Sequence, residues 1–352
     1  MNPCNSNTNN IEVLHGGDVY RNEVRLDYSV NLNPFPMPQD VTEAIREGMT
    51  EIHQYPDPAQ QKLRERIAAL EGVDMDKVVC GNGASELLMA SVHAVMPRKA
   101  LIAAPCYAGY AVALKASDAE ITEYFLDEKK GFALDRGILD QITDEVDMLF
   151  IADPNNPNGM LIEPELKKAI IHKCEECGTV PVIDECFYPL TGAGTENEAV
   201  NDNALHLRAF TKTFAIPGIR IGYMLSNDTE LLGKIKKHLP EWNVSRIAER
   251  TGEAAAKVLE STDYLKKSEH LIKLEREYLA GQLERLGLKV YRSDTNYLLI
   301  KSRPDLYERL LRKGILIRRC ANFSGLDETY FRIAVRKHKD NEELINILGK
   351  VL

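Results

Sequence analysis

From Val78 onwards, short apolar runs bounded by turn residues alternate with helical stretches such as Glu86–Val95 and Glu163–Cys177. Short apolar runs of this kind are typical of buried parallel strands. The alternation of strand and helix predicts an α/β fold with a mostly parallel, doubly wound sheet. The predicted strands are Val78–Cys80, Ala100–Ala104, Met148–Ala152, Val180–Ile183, Leu205–Phe210 and Arg220–Leu225.

Two helices are predicted before this sheet begins. The first covers Asp40–Met49. The second is predicted to open at Pro58, because proline is favoured at the first position of a helix. Its apolar positions recur at helical spacing, and Gly72 supplies a stop signal.

The pattern changes after Trp242. Residues 247–286 form a long, charge-rich stretch that is mostly helical, and shorter apolar runs follow at Tyr297–Lys301, Ile315–Arg319 and Tyr330–Val335. These elements predict a smaller α+β domain. A chain of 352 residues has room for about two domains at roughly 150 residues each. We expect an N-terminal arm over 1–45 that joins the small domain, a large domain over 46–245 and a small domain over 246–352.

Composition excludes several classes of protein. Hydrophobic residues make up 44% of the chain and charged residues 28%, which rules out a disordered chain. The net charge of −9 argues against nucleic acid as the main partner, since phosphate backbones need a basic surface. No apolar run approaches the ~20 residues of a membrane span, and the polar N-terminus lacks the features of a signal peptide.

The cysteines indicate a reduced compartment. Their number, seven, is odd, and their spacing shows no disulfide framework, so we expect a cytoplasmic protein. Cys174 and Cys177 form a lone CxxC pair in a predicted helix. Zinc would need a second pair of ligands at suitable spacing, so we predict two free thiols and no metal. The role of Cys186, which follows the last residues of a predicted strand, stays open.

The strongest chemical signal is the segment from Thr211 to Arg220. Lys212 follows an apolar strand, and Arg220 stands at the start of the next one. Burial in a cleft lowers the pKa of an amine and frees it as a nucleophile for a Schiff base, and an arginine nearby suits a phosphate. The alternative is an ordinary surface lysine in a loop.

Three further signals follow predicted strands. The segment Gly81–Glu86 is rich in small residues and precedes an apolar helix, which favours phosphate binding; the alternative is a tight turn with Ser85 as helix cap. Asp153–Gly159 and Asp184-Glu185 follow two other strands. Ligands of open α/β sheets bind outside the carboxyl ends of the strands, although each segment alone is also compatible with ordinary turn chemistry.

Taken together, these residues describe one ligand. A lysine for an imine, a phosphate cradle, an acid for a pyridinium nitrogen and a donor for a ring oxygen match pyridoxal 5′-phosphate. Tyr107, which follows a strand, is placed to stack on its ring.

With these motifs in this order over essentially its whole length, the chain resembles the fold type I pyridoxal-phosphate enzymes of the aspartate aminotransferase superfamily. The resemblance implies a homodimer with shared active sites and makes Lys212 the Schiff-base lysine. It implies that Asp184 pairs with the pyridine nitrogen, that Asn156 bonds the ring oxygen and that Tyr107 stacks on the ring. Arg332 matches the arginine that binds the substrate α-carboxylate, and Tyr55 matches a residue that reaches the cofactor phosphate of the neighbouring subunit. The expected phosphate ligands within the chain are Gly83, Ala84, Ser85, Thr211 and Arg220.

Two families compete within this superfamily, the histidinol-phosphate aminotransferases and the L-threonine-O-3-phosphate decarboxylases of cobalamin biosynthesis. Residues 14–17, 28–34 and 215–218 resemble the decarboxylases. Phe187 stands where many aminotransferases have a tyrosine. The resemblance therefore favours decarboxylation of a phosphorylated amino acid, with L-threonine O-3-phosphate giving (R)-1-aminopropan-2-yl phosphate. Transamination of the histidinol-phosphate type is the alternative, because the orientation of the bound substrate decides which bond breaks.

Both families use a phosphorylated substrate, so a second anion site is expected. Its candidates are His15, Asn33, Arg318 and Asn322, and Arg318 is the best of them because a guanidinium makes bidentate contacts with phosphate. A non-catalytic binding module with the same fold is the rival hypothesis. The intact set of Lys212, Asp184, Asn156 and Arg220 argues against it.

Overall fold

Seven strands form the central sheet of this computed structural model, which describes residues 17–193 and 200–352. The strands of the described chain are β1 Leu26–Asp27, β2 Val78–Gly81, β3 Lys99–Ala104, β4 Glu120–Phe125, β5 Met148–Ala152, β6 Val180–Asp184, β7 Leu205–Ala209, β8 Gly222–Leu225, β9 Lys289–Val290, β10 Tyr297–Lys301, β11 Ile315–Leu316, β12 Arg318–Arg319 and β13 Tyr330–Ala334. The helices are α1 Gln39–Thr50, α2 Gln61–Glu71, α3 Ala84–Val95, α4 Gly109–Lys115, α5 Pro164–Cys177, α6 Phe210–Thr213, α7 Thr229–Lys236, α8 Arg246–Ser261, α9 Tyr264–Arg285, α10 Leu306–Leu311 and α11 His338–Val351.

The order of the central sheet is β2-β8-β7-β6-β5-β3-β4. The pairs from β7 through β6, β5 and β3 to β4 are parallel, whereas β8 is antiparallel to both β7 and β2. The prediction of a mostly parallel α/β sheet is confirmed, but the prediction of a parallel strand over Arg220–Leu225 is wrong. Arg220 has a left-handed backbone with φ of 61°, which cannot continue a strand, so β8 begins at Gly222.

Helices cover the sheet because its strands are apolar on both faces. Leu205 and Leu207 of β7 pack on one side with Phe150 of β5 and with Leu87 of α3. His206 and Arg208 alternate with these leucines along β7, so their side chains point to the other face of the sheet. His206 is buried there and Arg208 is partly buried. Strand β7 therefore buries charged side chains on the face opposite to Leu205 and Leu207.

The remaining strands belong to two smaller sheets. One is antiparallel, in the order β12-β13-β10-β9, and the other pairs β1 with β11 in parallel. The predicted strand over Ile315–Arg319 is therefore two short strands in different sheets. The pairing of Leu26 with Ile315 joins the N-terminal segment to this region, while the domain boundaries themselves stay a prediction.

Several other elements differ from the sequence-based prediction. Helix α2 begins at Gln61 rather than at Pro58, because the Asp57 carboxylate accepts the backbone N–H groups of Ala59 and Gln61 and holds a turn there. Gly72 ends it in a left-handed conformation, as predicted. The sequence pattern missed β4, since an edge strand is only half-buried and carries polar residues, and it missed α11. None of the described helices combines the length and apolarity that a membrane crossing requires.

Gly222 marks the close contact between the start of β8 and the start of α3. A Cβ atom added there would lie 2.6 Å from the Ala84 nitrogen and 2.9 Å from the Gly83 carbonyl carbon. Because backbone atoms cannot rotate aside, we expect Gly222→Ala to lower the free energy of unfolding in urea by about 1–3 kcal/mol. Gly233→Ala in α7 is the control: nothing lies within 4 Å of its added Cβ, so it is expected to be neutral or stabilising. Equal destabilisation by both changes would contradict this account.

Candidate active site

A cavity of about 270 Å³ opens where the parallel strands of the central sheet end. This is the edge at which open α/β sheets bind their ligands. Residues that follow β3, β5, β6 and β7 meet there with residues of the small antiparallel sheet. The predicted site residues that line it are Ala84, Ser85, Tyr107, Asn156, Asp184, Thr211, Lys212, Arg220, Arg318 and Arg332.

Lys212 lies in the one-turn helix α6, directly after β7. Its Nζ atom is 5.6 Å from the centre of the Phe187 ring. Burial, together with the positive charges of Arg332 and Arg220, lowers the pKa of Lys212 to about 8. The structure therefore gives this amine the environment of a nucleophile and of a proton carrier.

Asp184 ends β6, and two donors fix its carboxylate. The Tyr110 hydroxyl donates to Oδ2 at 2.7 Å, and the Cys186 backbone N–H donates to Oδ1 at 3.0 Å. Burial first, and then the charge of Asp184, raise the pKa of Tyr110 well above its usual value, so the phenol stays a donor. Its ring also packs edge-to-face on Tyr107 at 5.5 Å. One side chain thus braces both the acid and the predicted stacking residue.

The turn before α3 forms an anion cradle. Gly83 is the N-terminal cap residue of α3, with φ of 76°, and no side chain caps the helix. A Cβ atom at Gly83 would lie 2.5 Å from Arg220 Nη2, so only glycine lets this guanidinium lie against the helix start. Free N–H groups, the helix dipole and an arginine together suit a phosphate group. Ser85 is not the helix cap; its side chain lines the cavity instead.

Arg332 lies on β13, only 4% exposed, at the opposite wall of the cavity. It donates from Nη1 to Asn156 Oδ1 at 2.6 Å and from Nη2 to the Ser29 carbonyl at 2.7 Å. Its Nε atom is buried without a hydrogen-bond partner. Burial lowers the pKa of Arg332 from its usual value.

Arg318 is the second buried arginine of the cavity, also 4% exposed. It donates to the Arg319 carbonyl and, at 3.0 Å, to Asn322 Oδ1, and it stacks on the Phe323 ring. Burial and the charge of Arg332 lower the pKa of Arg318 to about 10. Within residues 17–193 and 200–352, no carboxylate lies at ion-pair distance from either arginine.

The other predicted substrate residues and Tyr55 do not line the cavity where the structure describes them. Asn33 is buried elsewhere: its amide donates to the Thr213 carbonyl and to Ser268 Oγ, so the prediction that it binds substrate is not supported. Asn322 supports Arg318 from an exposed position. Tyr55 is 80% exposed and packs on Trp242 at 4.8 Å. His15 lies outside the described residues.

Two cavity residues escaped the sequence-based prediction. Tyr110 was missed because a tyrosine in a helix following a strand has the appearance of an ordinary core residue. Asn31 is 1% exposed and lines the cavity, yet both atoms of its amide lack a hydrogen-bond partner. Two asparagines occur close together in this segment; sequence reasoning selected Asn33, whereas Asn31 is the one that lines the cavity.

The cysteine pair has no part in this site. Cys174 and Cys177 carry free thiols on α5. In the part of the chain that the structure describes, no cluster of three or more potential ligands is arranged for a metal ion.

Known proteins resemble this chain over almost all of its length. The sequence profile of the class I and II aminotransferases matches residues 24–348. A threonine-phosphate decarboxylase of Salmonella typhimurium is 35% identical, with 93% of this chain and 91% of the relative covered. A histidinol-phosphate aminotransferase of Methanothermobacter thermautotrophicus is 31% identical, with 92% and 87% covered.

Solved structures extend the comparison. The histidinol-phosphate aminotransferase from Clostridium acetobutylicum superposes with a TM-score of 0.84 at 34% identity, over 93% of this chain and 98% of that one. The L-threonine-O-3-phosphate decarboxylase from Porphyromonas gingivalis gives 0.78 at 23% identity, over 92% and 98%, which shows a common fold.

The environment of Lys212 predicts a specific pH dependence. Only the neutral amine attacks an aldehyde, and with a pKa of about 8 its fraction rises with pH and levels off above that value, rather than near the ordinary 10.5. We expect the rate at which the apoprotein captures pyridoxal 5′-phosphate, followed by visible absorbance, to rise with the same midpoint.

Borohydride reduction and peptide mapping identify the lysine that is labelled. Lys212→Ala should abolish the label. Lys236→Ala, which changes an α7 lysine whose pKa is also lowered by desolvation, should not. A label on any other side chain, or a midpoint near 10.5, contradicts the assignment.

Proposed function

The chain belongs to the family of class I and II aminotransferases, whose cofactor is pyridoxal 5′-phosphate, and within this family we propose that it decarboxylates a phosphorylated amino acid. The proposed substrate is L-threonine O-3-phosphate, and the proposed product is (R)-1-aminopropan-2-yl phosphate. The family and the fold type I architecture inferred from the sequence motifs are confirmed by the comparisons. The choice of reaction within the family is the step proposed here.

The observation that carries the proposal is the pair of buried arginines without an acidic partner. A charged group buried without a partner is costly, so Arg318 and Arg332 are best explained as halves of ion pairs that the substrate completes. A phosphorylated amino acid brings two anions, the α-carboxylate and the phosphate. The separate cradle of Arg220 and the α3 terminus is then left for the cofactor phosphate.

Each arginine suits one of these anions. Arg332 is held rigidly by Asn156 and Ser29 and keeps its Nε free, which suits a small planar carboxylate. Arg318 lies over the Phe323 ring in the cavity, and the parallel N–H donors of its guanidinium suit a phosphate. The unpartnered amide of Asn31 provides a further donor to the same substrate.

The residues around the cofactor take the roles that their positions allow. Gly83, Ala84, Ser85, Thr211 and Arg220 would hold its phosphate, Asp184 would pair with its ring nitrogen, and Tyr107 would stack on its ring. When bound, pyridoxal 5′-phosphate supplies an aldehyde for the substrate amine and a ring that accepts the electron pair released at the α-carbon.

Lys212 moves the proton that completes the reaction. In decarboxylation the α-carbon loses CO2 and gains one proton, and the Lys212 Nζ is the proposed donor. In transamination the same atom would first remove a proton from the α-carbon. Arg332 and Arg318 decide between these outcomes, because together they fix how the substrate carboxylate is turned.

Transamination of histidinol phosphate is the second candidate, because the histidinol-phosphate aminotransferase from Clostridium acetobutylicum shares 34% identity with this chain. For either reaction we propose a homodimer, in which Tyr55 reaches the partner's cofactor phosphate. Exposed apolar side chains at Met49, Ile52 and Tyr55 provide a surface for that contact.

Two parallel incubations separate the candidates. With L-threonine O-3-phosphate and no 2-oxo acid, we expect CO2 release and the phosphorylated amine, followed by mass spectrometry. With histidinol phosphate and 2-oxoglutarate, we expect no turnover, because histidinol phosphate has no α-carboxylate for Arg332 to orient. Turnover that depends on the oxo acid would favour the aminotransferase.

Adjacent arginines allow a controlled test of the phosphate subsite. Arg318→Gln removes charged hydrogen bonds worth about 1.5–3 kcal/mol, so KM for threonine phosphate should rise roughly 10- to 100-fold. Turnover of unphosphorylated L-threonine should change little. Arg319→Gln is the control, since Arg319 is exposed and pairs with Glu308 outside the cavity. If both variants shift KM equally, or if L-threonine is affected as much as its phosphate, Arg318 does not bind the phosphate.

A further inference from the structure

A group of buried charged side chains lies directly beside the cavity without lining it. It occupies the ends of the three central parallel strands and the helices that cover them. We refer to it as the strand-end network, which comprises Glu71, Asp153, Lys167, Glu185, His206 and Arg208.

Glu185 is the hub of the strand-end network. It is 2% exposed and accepts from Lys167 Nζ at 2.6 Å and from Arg208 Nε at 2.8 Å. The Nδ1 atom of His206 lies 3.2 Å from Glu185 Oε1, at ion-pair distance but without hydrogen-bond geometry. The Glu185 backbone N–H also donates to the Leu207 carbonyl of β7.

The network reaches outwards in two directions from this hub. Lys167 of α5 also donates to Asp153 Oδ2 at 2.9 Å, and Asp153 accepts the Ile162 backbone N–H. On the other side Arg208 donates to Glu71 of α2, whose second oxygen accepts from the Tyr223 hydroxyl at 2.6 Å. Glu71 is thus the distal end, away from the cavity.

The ends of three adjacent strands each place a charged residue of the network close in sequence to a residue of the cavity. The pairs are Asp153 and Asn156 after β5, Glu185 and Asp184 at the end of β6, and Arg208 and Lys212 at the end of β7. Asp153 also donates its backbone N–H to the Asp184 carbonyl. The network therefore joins the three strand ends at the level where the cavity residues leave them.

Stability alone is a weak explanation for such a cluster. Apolar residues of similar volume are often as stable as a buried ion pair, whereas removing one partner is strongly destabilising. Although burial opposes it, the charges of Arg208, His206 and Lys167 hold the pKa of Glu185 well below its usual value. Burial also opposes the charged form of His206, but the charges of Glu185 and Asp202 outweigh it and raise the pKa of His206 to about 8. Glu185 and His206 are therefore both charged at neutral pH.

We propose that Glu185 is a positioning residue, which through Lys167 and Arg208 fixes Asp184, Asn156 and Lys212 relative to one another for cofactor binding. It touches neither cofactor nor substrate. The proposal rests on the cofactor site proposed above but not on the identity of the substrate.

Glu185→Gln and Glu71→Gln form a matched pair of variants. Each replaces a buried carboxylate that bonds Arg208 with an isosteric amide, but only Glu185 lies at a strand end beside the cavity. We expect similar decreases in the unfolding temperature of the two apoproteins. The dissociation constant for pyridoxal 5′-phosphate should rise at least tenfold in Glu185→Gln and less than threefold in Glu71→Gln. The pH midpoint of the visible absorbance band of the loaded protein should shift only in Glu185→Gln.

Equal weakening of cofactor binding in both variants, in proportion to lost stability, would show a merely structural role and overturn the proposal. An unchanged dissociation constant in Glu185→Gln would overturn it too. If Glu185→Gln does not fold, Lys167→Met replaces it. Lys167 joins Asp153 after β5 to Glu185 after β6, and its side chain is 19% exposed. The same selective loss of cofactor binding is then required of Lys167→Met. Failure of the wild type to bind pyridoxal 5′-phosphate would instead refute the cofactor site itself.

Discussion

The register of three parallel strands is the constraint on which the site depends. Ala152 pairs with Asp184, and Asp184 pairs with Leu207, so β5, β6 and β7 end at the same edge of the sheet. Parallel strands need helical crossovers, and these leave the carboxyl ends free for ligands. A lysine, an acid and an amide that are far apart in the sequence therefore share one cavity. The tight contact of Gly222 with the start of α3 then places the anion cradle beside them.

The second determinant is an imbalance of charge. The cavity is lined by four basic side chains, those of Lys212, Arg220, Arg318 and Arg332. Among the described lining residues, Asp184 supplies the one carboxylate. Burial, and after it the positive charge of Arg332, lowers the pKa values of both Lys212 and Arg318. A site of this kind favours ligands with several negative charges, and anionic ligands that enter it relieve a cost which the folded chain already carries. Burial lowers the pKa of Lys212 first, and the same excess of positive charge lowers it further, so the charge that favours anions also contributes to the reactivity of the amine.

Sequence reasoning succeeded where one local rule decides the outcome. Polar residues directly after apolar strands meet at one edge, so Lys212, Asp184 and Asn156 were predicted to share a site, and the structure brings them together. Arg332, which lies within β13, was assigned to the site only through the family resemblance; the roles of all four residues stay predictions. It failed where the outcome depends on distant partners. The direction of β8, the choice between Asn31 and Asn33 and the contact of Tyr110 with Asp184 each depend on which residues pack from another part of the chain. Periodicity along one segment contains no information about those partners.

Asp184 and Glu185 show why register rather than composition determines this site. They are adjacent carboxylates, yet one faces the cavity and the other is sealed in the strand-end network. Successive side chains along an extended chain point to opposite faces, so a shift of β6 by one residue would exchange them. Glu185 would then enter the cavity, and Asp184, with a shorter side chain, would face Lys167 and Arg208. The salt bridges of Glu185 therefore act against this slip, because the observed register places the longer carboxylate between Lys167 and Arg208. A network of this kind contributes specificity of structure even where its net contribution to stability is small.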